Sequence, residues 1–271
     1  MPIDYSLPGS MTTLGDTPAW ALEPIGRDAL EICRPVHTFF VQPTDPFAVA
    51  LPEPRIAENQ IRPAAELVTR LLLLDAAPLN VERDPADRVV GTCRHFAVVA
   101  CALLRHRGFQ ARVRCGFATY FQPGQALDHW IVEHRDQGGH WVRVDPEIIG
   151  LGIIEHPESL APEQFLTGGE AWAAFRRGEI DASRFGVHGT QNWGAGEIRG
   201  NAAKDLASLN KVEMLPWDEW GRMGDAYLDR TGADYDELLD RLAEVCAGDD
   251  SDAIAAVYTH EDLRVPAELI L

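Results

Sequence analysis

The chain has 271 residues, 46% of them hydrophobic and 24% charged, the balance of an ordinary globular protein with a full core. Its formal net charge of -18 excludes the basic surface that nucleic-acid phosphates require and disfavours anionic membranes. Five scattered cysteines with no CxxC pair predict neither a disulfide framework nor a four-cysteine zinc site.

Residues 1–59 are punctuated by Pro2, Pro8, Pro18, Pro24, Pro35, Pro43, Pro46, Pro52 and Pro54. An irregular wrap is expected there, with a strand-like piece over 36–41. The opening MPIDYSLPGSMTTLGD has no basic or apolar leader region, so a cytoplasmic location is the expectation. No run reaches the ~18 apolar residues of a membrane span. Residues 61–74 place Leu67, Leu71 and Leu74 on one helical face, and 80–90 form a polar connection. Phe96, Val99, Ala100, Leu103 and Leu104 then make an i, i+3, i+4, i+7, i+8 stripe. Thr92 is the N-cap, Arg105, His106 and Arg107 fill the last turn, and Gly108 is the stop, which predicts a helix over 93–107.

After this helix the period changes from 3.6 to 2. Residues 110–121 alternate Ala111, Val113, Cys115 and Phe117 with Arg112, Arg114, Gly116 and Ala118, as a half-buried strand does. Beyond a Pro123-Gly124 turn, residues 128–134 and 140–146 read as two strands joined by 136–139, an antiparallel hairpin. The chain then becomes mainly helical: turns within 162–177, a glycine-rich loop over 186–200, and helices over 202–210, 217–229, 234–246 and 251–258, the last capped by Ser251. No repeat or linker appears. One domain over 1–271 is expected, with the wrap at 1–59, a catalytic core at 60–150 and a mostly helical extension at 151–271.

Cys93 opens its helix, where backbone N–H groups and the macrodipole favour a thiolate. A cysteine nucleophile needs a base and a group that orients the base. His129 starts the second strand and Asp145 ends the third, so the hairpin is expected to set them side by side across the ladder. His95 is nearer in sequence but points to another helical face. No closing set of four ligands surrounds Cys93, so no metal and no cofactor is expected.

This Cys, His, Asp order on these elements resembles the transglutaminase-like superfamily of papain-like α+β proteins. The resemblance rests on Gly91-Thr92-Cys93-Arg94-His95-Phe96-Ala97, on Leu103-Leu104-Arg105 to Gly108-Phe109-Gln110-Ala111-Arg112, on Asp128-His129-Trp130 and on Val144-Asp145-Pro146. It covers about 80–147. It implies an α+β fold in which an antiparallel sheet packs on the cysteine helix, with the helical C-terminal extension added. It also implies acyl transfer: Cys93 attacks an amide or peptide carbonyl, His129 protonates the departing amine, and water or an amine resolves the thioester. The partner is then a peptide, protein or small-molecule amide, not nucleic acid or membrane. The Cys93 N–H would be one oxyanion donor, with Gln60 or Asn80 as the second. A catalytically silent binding scaffold and an amide-forming enzyme of a small-molecule pathway are the competing readings.

Four further residues are candidate substrate contacts, each beside a plainer role. Arg94 would hold a substrate carboxylate or simply form a salt bridge. Trp130 would line the acyl site or belong to the core. Asn192 and Trp193 lie in a loop that mixes amide, indole and glycine, the composition of a binding loop, with structural packing as the alternative.

Overall fold

The computed structural model describes residues 2–270 and divides into two compact units. One comprises residues 5–113 and 131–160, the other residues 2–4, 114–130 and 161–270. The fold is α+β, as the sequence implies.

In the first unit the proline-rich start forms short helical pieces: α1 (Ala19–Leu22), α2 (Ala29–Cys33), α3 (Pro46–Val49) and α4 (Glu53–Ile56). Pro46 and Pro54 occupy first-turn positions, where a missing N–H breaks no intrahelical bond. The expected strand over 36–41 is a 3-10 turn, Arg34–Thr38, followed by β1 (Phe40–Val41), which pairs in parallel with β2 (Val89–Val90). α5 (Ala64–Leu74) starts later than residue 61 because Pro63 is its extended N-cap, and a proline keeps the preceding Arg62 out of the helical region.

α6 (Cys93–His106) starts and stops where expected. Gly108 adopts φ +86° and the Phe109 N–H reaches the Leu104 carbonyl at 3.0 Å, a Schellman-type end. Yet every residue from Cys93 to Arg105 is buried, so the helix is enclosed on all sides rather than along one stripe. Backbone carbonyls receive its cations: Arg105 Nε donates to Tyr5 and Ala111, and Arg107 Nη2 to Leu22, Glu23 and Ile25.

β3 (Ala111–Ala118) and β4 (Ala126–Arg135) run from one unit into the other. In the first unit the end of β4 pairs antiparallel with β5 (Trp141–Val144), Val132 opposite Val144 and Arg135 opposite Trp141, which is the expected hairpin. In the second unit β3 pairs antiparallel with β6 (Phe165–Thr167), and β7 (Phe185–Gly186) lies parallel to β4.

All eight residues of β3 are buried, which corrects the half-buried expectation. The arginines that read as a wet face are neutralised instead. Arg112 Nε meets Glu133 at 2.6 Å in the first unit; Arg114 makes a two-pronged pair with Asp205, 2.9 and 2.8 Å, in the second. Asp205 also accepts the Cys115 N–H at 3.1 Å. Breaking a buried pair by removing one partner strands a charge and costs about 3–5 kcal/mol. Asp205→Ala is therefore expected to lower the thermal midpoint by roughly 6–20 °C in a chain of this size, and adding Arg114→Met should recover part of it by calorimetry.

The second unit continues through α7 (Gly168–Arg176), α8 (Ala195–Leu209), α9 (Met223–Tyr227), α10 (Ala233–Cys246) and α11 (Ser251–Tyr258). α7 is opened by a capping box between Thr167 and Glu170. The loop expected over 186–200 ends at Gly194, because Gly196 and Gly200 are contact points of α8 rather than breakers. A Cβ on Gly196 would come within 2.8 Å of Tyr227 Cα, and one on Gly200 within 2.2 Å of Tyr227 Oη. The helix expected over 217–229 shrinks to α9. The cap of α11 is Asp250, whose Oδ1 accepts from Asp252 and Ala253 N–H at 3.0 Å, not Ser251. Among the described residues no helix is long and apolar enough to cross a membrane.

Candidate active site

Cys93 is the first residue of α6 and is 7% exposed, against 0% for Cys33, Cys101 and Cys115 and 4% for Cys246. Two residues on, His95 holds the helix entrance together. The Thr92 N–H donates to His95 Nδ1 at 2.9 Å, so an imidazole takes the part usually played by a Glu or Gln in a capping box. Burial, helped by the neighbouring Arg94 charge, lowers His95 to about 3. It is a neutral acceptor with a structural task, in keeping with its demotion as the base.

Arg94 is fully buried and donates to the Arg62 carbonyl at 2.6 Å. It braces the segment ahead of α5 against the first turn of α6, a structural role beside its candidacy as a substrate contact. Gln60 closes the 3-10 turn Ala57–Gln60 and is exposed, its amide donating to Asn59 Oδ1 at 3.0 Å. It sits two residues from the Arg62 carbonyl that holds Arg94. Asn80 lies exposed in a different turn, beside Leu79, whose N–H bonds the Ala21 carbonyl at 2.9 Å.

Asp145 is fully buried directly after β5. Its N–H reaches the Pro157 carbonyl at 2.8 Å, and its Oδ1 accepts the Glu147 N–H at 3.0 Å. The β4–β5 ladder ends at Val132 opposite Val144, and continuing that register puts Asp145 opposite Ile131 rather than directly opposite His129. Glu147 was missed by sequence reasoning. A carboxylate oxygen of it lies within 4.8 Å of Cys93 Sγ, and its Oε1 accepts from Gln42 Nε2 at 2.7 Å. The only signal was its place two residues after Asp145, where an Asx turn reuses the aspartate.

In the second unit His129 is 3% exposed. Its ring packs edgewise against Phe121, 5.0 Å between centroids, and Tyr120, at 6.3 Å. Neither aromatic is singled out in the sequence, where both fall at the end of the strand expected over 110–121, whereas β3 ends at Ala118. Strand alternation turns His129 to one face and its neighbours Asp128 and Trp130 to the other. Trp130 is fully buried, which fits the plainer of its two readings, a core residue. Trp193 covers Gly186 and donates its Nε1 to the Thr190 carbonyl at 3.1 Å, so packing explains it. Asn192 is exposed at the rim of a cavity of the second unit.

Cys93 thus heads an enclosed helix of the first unit, and His129 lies on a strand within the second. Residues 77–146 match the model of the Transglutaminase-like superfamily, a stretch that includes Cys93, His129 and Asp145. No curated protein matches the sequence. Among solved structures, a proposed cysteine protease from Cytophaga hutchinsonii is 15% identical over 60% of this chain, with a TM-score of 0.37. The similarity spans 44% of that protein's length.

Proposed function

We propose that the protein is a cysteine-dependent acyl-transfer enzyme that acts on an amide or peptide carbonyl through a thioester, by hydrolysis or transamidation. The observation that carries this reading is Cys93: a thiol at the N-terminus of an enclosed helix, the most exposed of five cysteines, and inside the superfamily match. The thiolate attacks the carbonyl carbon, the C–N bond breaks, and His129 as imidazolium gives its proton to the leaving amine. Water or an amine then attacks the thioester, its proton passes to His129, the C–S bond breaks and the thiolate–imidazolium pair is restored.

Asp145 orients the base in this scheme. Its carboxylate is fixed at Oδ1 by the Glu147 N–H. Edgewise packing by Tyr120 and Phe121 restricts the imidazole further. The Cys93 N–H supplies one oxyanion donor. Gln60 is the better second donor, because its segment is braced to the first turn of α6 through Arg62 and Arg94, whereas Asn80 belongs to a turn tied to α1.

Intact mass spectrometry of wild type and His129→Ala, incubated with a panel of peptides and glutamine donors, tests the reading. An acyl adduct on Cys93 that hydroxylamine removes is expected. No adduct with any donor, together with peptide binding that Cys93→Ala leaves unchanged, would favour the silent scaffold instead.

A further inference from the structure

The second unit holds a cavity of about 330 Å³ lined by Asp128, Glu197, Lys204, Trp217, Glu219 and Tyr227, among others, a size that suits a small ligand. Three carboxyls face it against one ammonium. Lys204 offsets them only in part: its charge favours the ionised forms of Asp128 and Glu197, but its hydrogen bonds go to the Pro216 carbonyl and to Tyr227 Oη, and one ammonium faces three acids. Asp128 is held by Asn201, whose Nδ2 donates at 2.8 Å.

Glu197 is the group without an answer. It is 5% exposed, lines the cavity, and its carboxyl makes no hydrogen bond or ion pair to any described residue. A carboxylate buried to that degree is ordinarily paired. A cation entering the cavity would complete the pairing of Glu197 in its ionised form. A compact metal ion fits poorly, because no three ligand oxygens of these acids come within 4.8 Å of one another. An anion is disfavoured by the three carboxyls. The rings of Trp217 and Tyr227, the former 42% exposed, supply a flank for methylene groups and a cation–π face.

We infer that this cavity binds a small organic cation carrying a primary ammonium group, which pairs with Glu197 and Glu219 while its hydrocarbon part lies on Trp217. The inference is independent of the acyl-transfer reading, since it concerns binding and is measured without turnover. Burial holds Glu197 up at about 7, so the carboxyl ionises as the cation enters and binding should strengthen with pH through neutrality.

Calorimetric titration of the full chain carrying Cys93→Ala, with 1,4-diaminobutane as probe, tests it. Saturable binding at pH 8 is expected, weakening about tenfold at pH 6 as Glu197 takes a proton, and at least tenfold in Glu197→Gln. Trp217→Ala, at an exposed position, should weaken binding severalfold with the thermal midpoint unchanged, which keeps the test open should Glu197→Gln fail to fold. 1,4-Butanediol should not bind. No binding of the diamine, equal binding of the diol, equal affinity in the Trp217→Ala and Glu197→Gln proteins, or displacement of the diamine by stoichiometric Mg²⁺ would overturn it.

Discussion

Replacing Cys93 with alanine is expected to cut kcat by roughly 10⁴-fold or more on any amide the protein turns over, with the fold unchanged. The size of the loss follows from the role: without the thiol no thioester forms, and only binding and oxyanion contacts remain. The fold should survive because the side chain is small and heads a helix whose cap is made by Thr92 and His95 rather than by the cysteine. Far-UV circular dichroism and the thermal midpoint check that half. Iodoacetamide labelling checks the other, by peptide mapping. Cys93 should react first, since Cys33, Cys101 and Cys115 are fully buried and burial pushes the Cys33 thiol up. Uniform labelling of all five in the folded protein would remove the basis of the assignment.

Acid should destabilise the protein through His95, by a large amount for one residue. Its folded value, about 3, lies below the ~6.5 of an unfolded histidine. Between those limits the unfolded chain binds a proton that the folded chain refuses, so stability falls as pH drops and is complete above about 6.5. At pH 4 the difference corresponds to about 3 kcal/mol. His95→Gln keeps an acceptor for the Thr92 N–H, as in an ordinary capping box, yet cannot titrate. Urea unfolding at pH 7 and pH 4 should show a smaller acid loss in the variant by that amount. Equal losses in the two proteins would mean that the imidazole is not held neutral.

His95 also shows where sequence reading stops. Its spacing from Cys93 was enough to set it aside as the base, but only folding reveals that Nδ1 accepts from the backbone at the helix entrance. The span of α6 was legible because its apolar stripe, its Thr92 start and its Gly108 stop agree. Arg112 and Arg114 misled, since charged residues at every second position look the same whether they meet water or buried Glu133 and Asp205. Those partners come from distant parts of the chain. Of the candidate site, Cys93, His129 and Asp145 could be proposed because residue type and element order both pointed to them. Glu147, Tyr120 and Phe121 could not, because their relevance is proximity alone. Trp130 is a candidate by its adjacency to His129 and Arg94 by its charge, and on a strand or helix a residue next to a catalytic one faces elsewhere.

The glycines of α8 carry one more consequence. Gly196 and Gly200 let Tyr227 lie flat against the helix, and Tyr227 in turn receives the Lys204 ammonium at 3.1 Å. The walls of an acidic cavity are thus set partly by atoms that are missing. For protein engineering this draws an unusual map of tolerance: a library aimed at ligand preference can vary the exposed Trp217, Glu219 and Asn192, whereas Gly196 admits no side chain against the Tyr227 backbone and Gly200 admits one only if the Tyr227 ring moves.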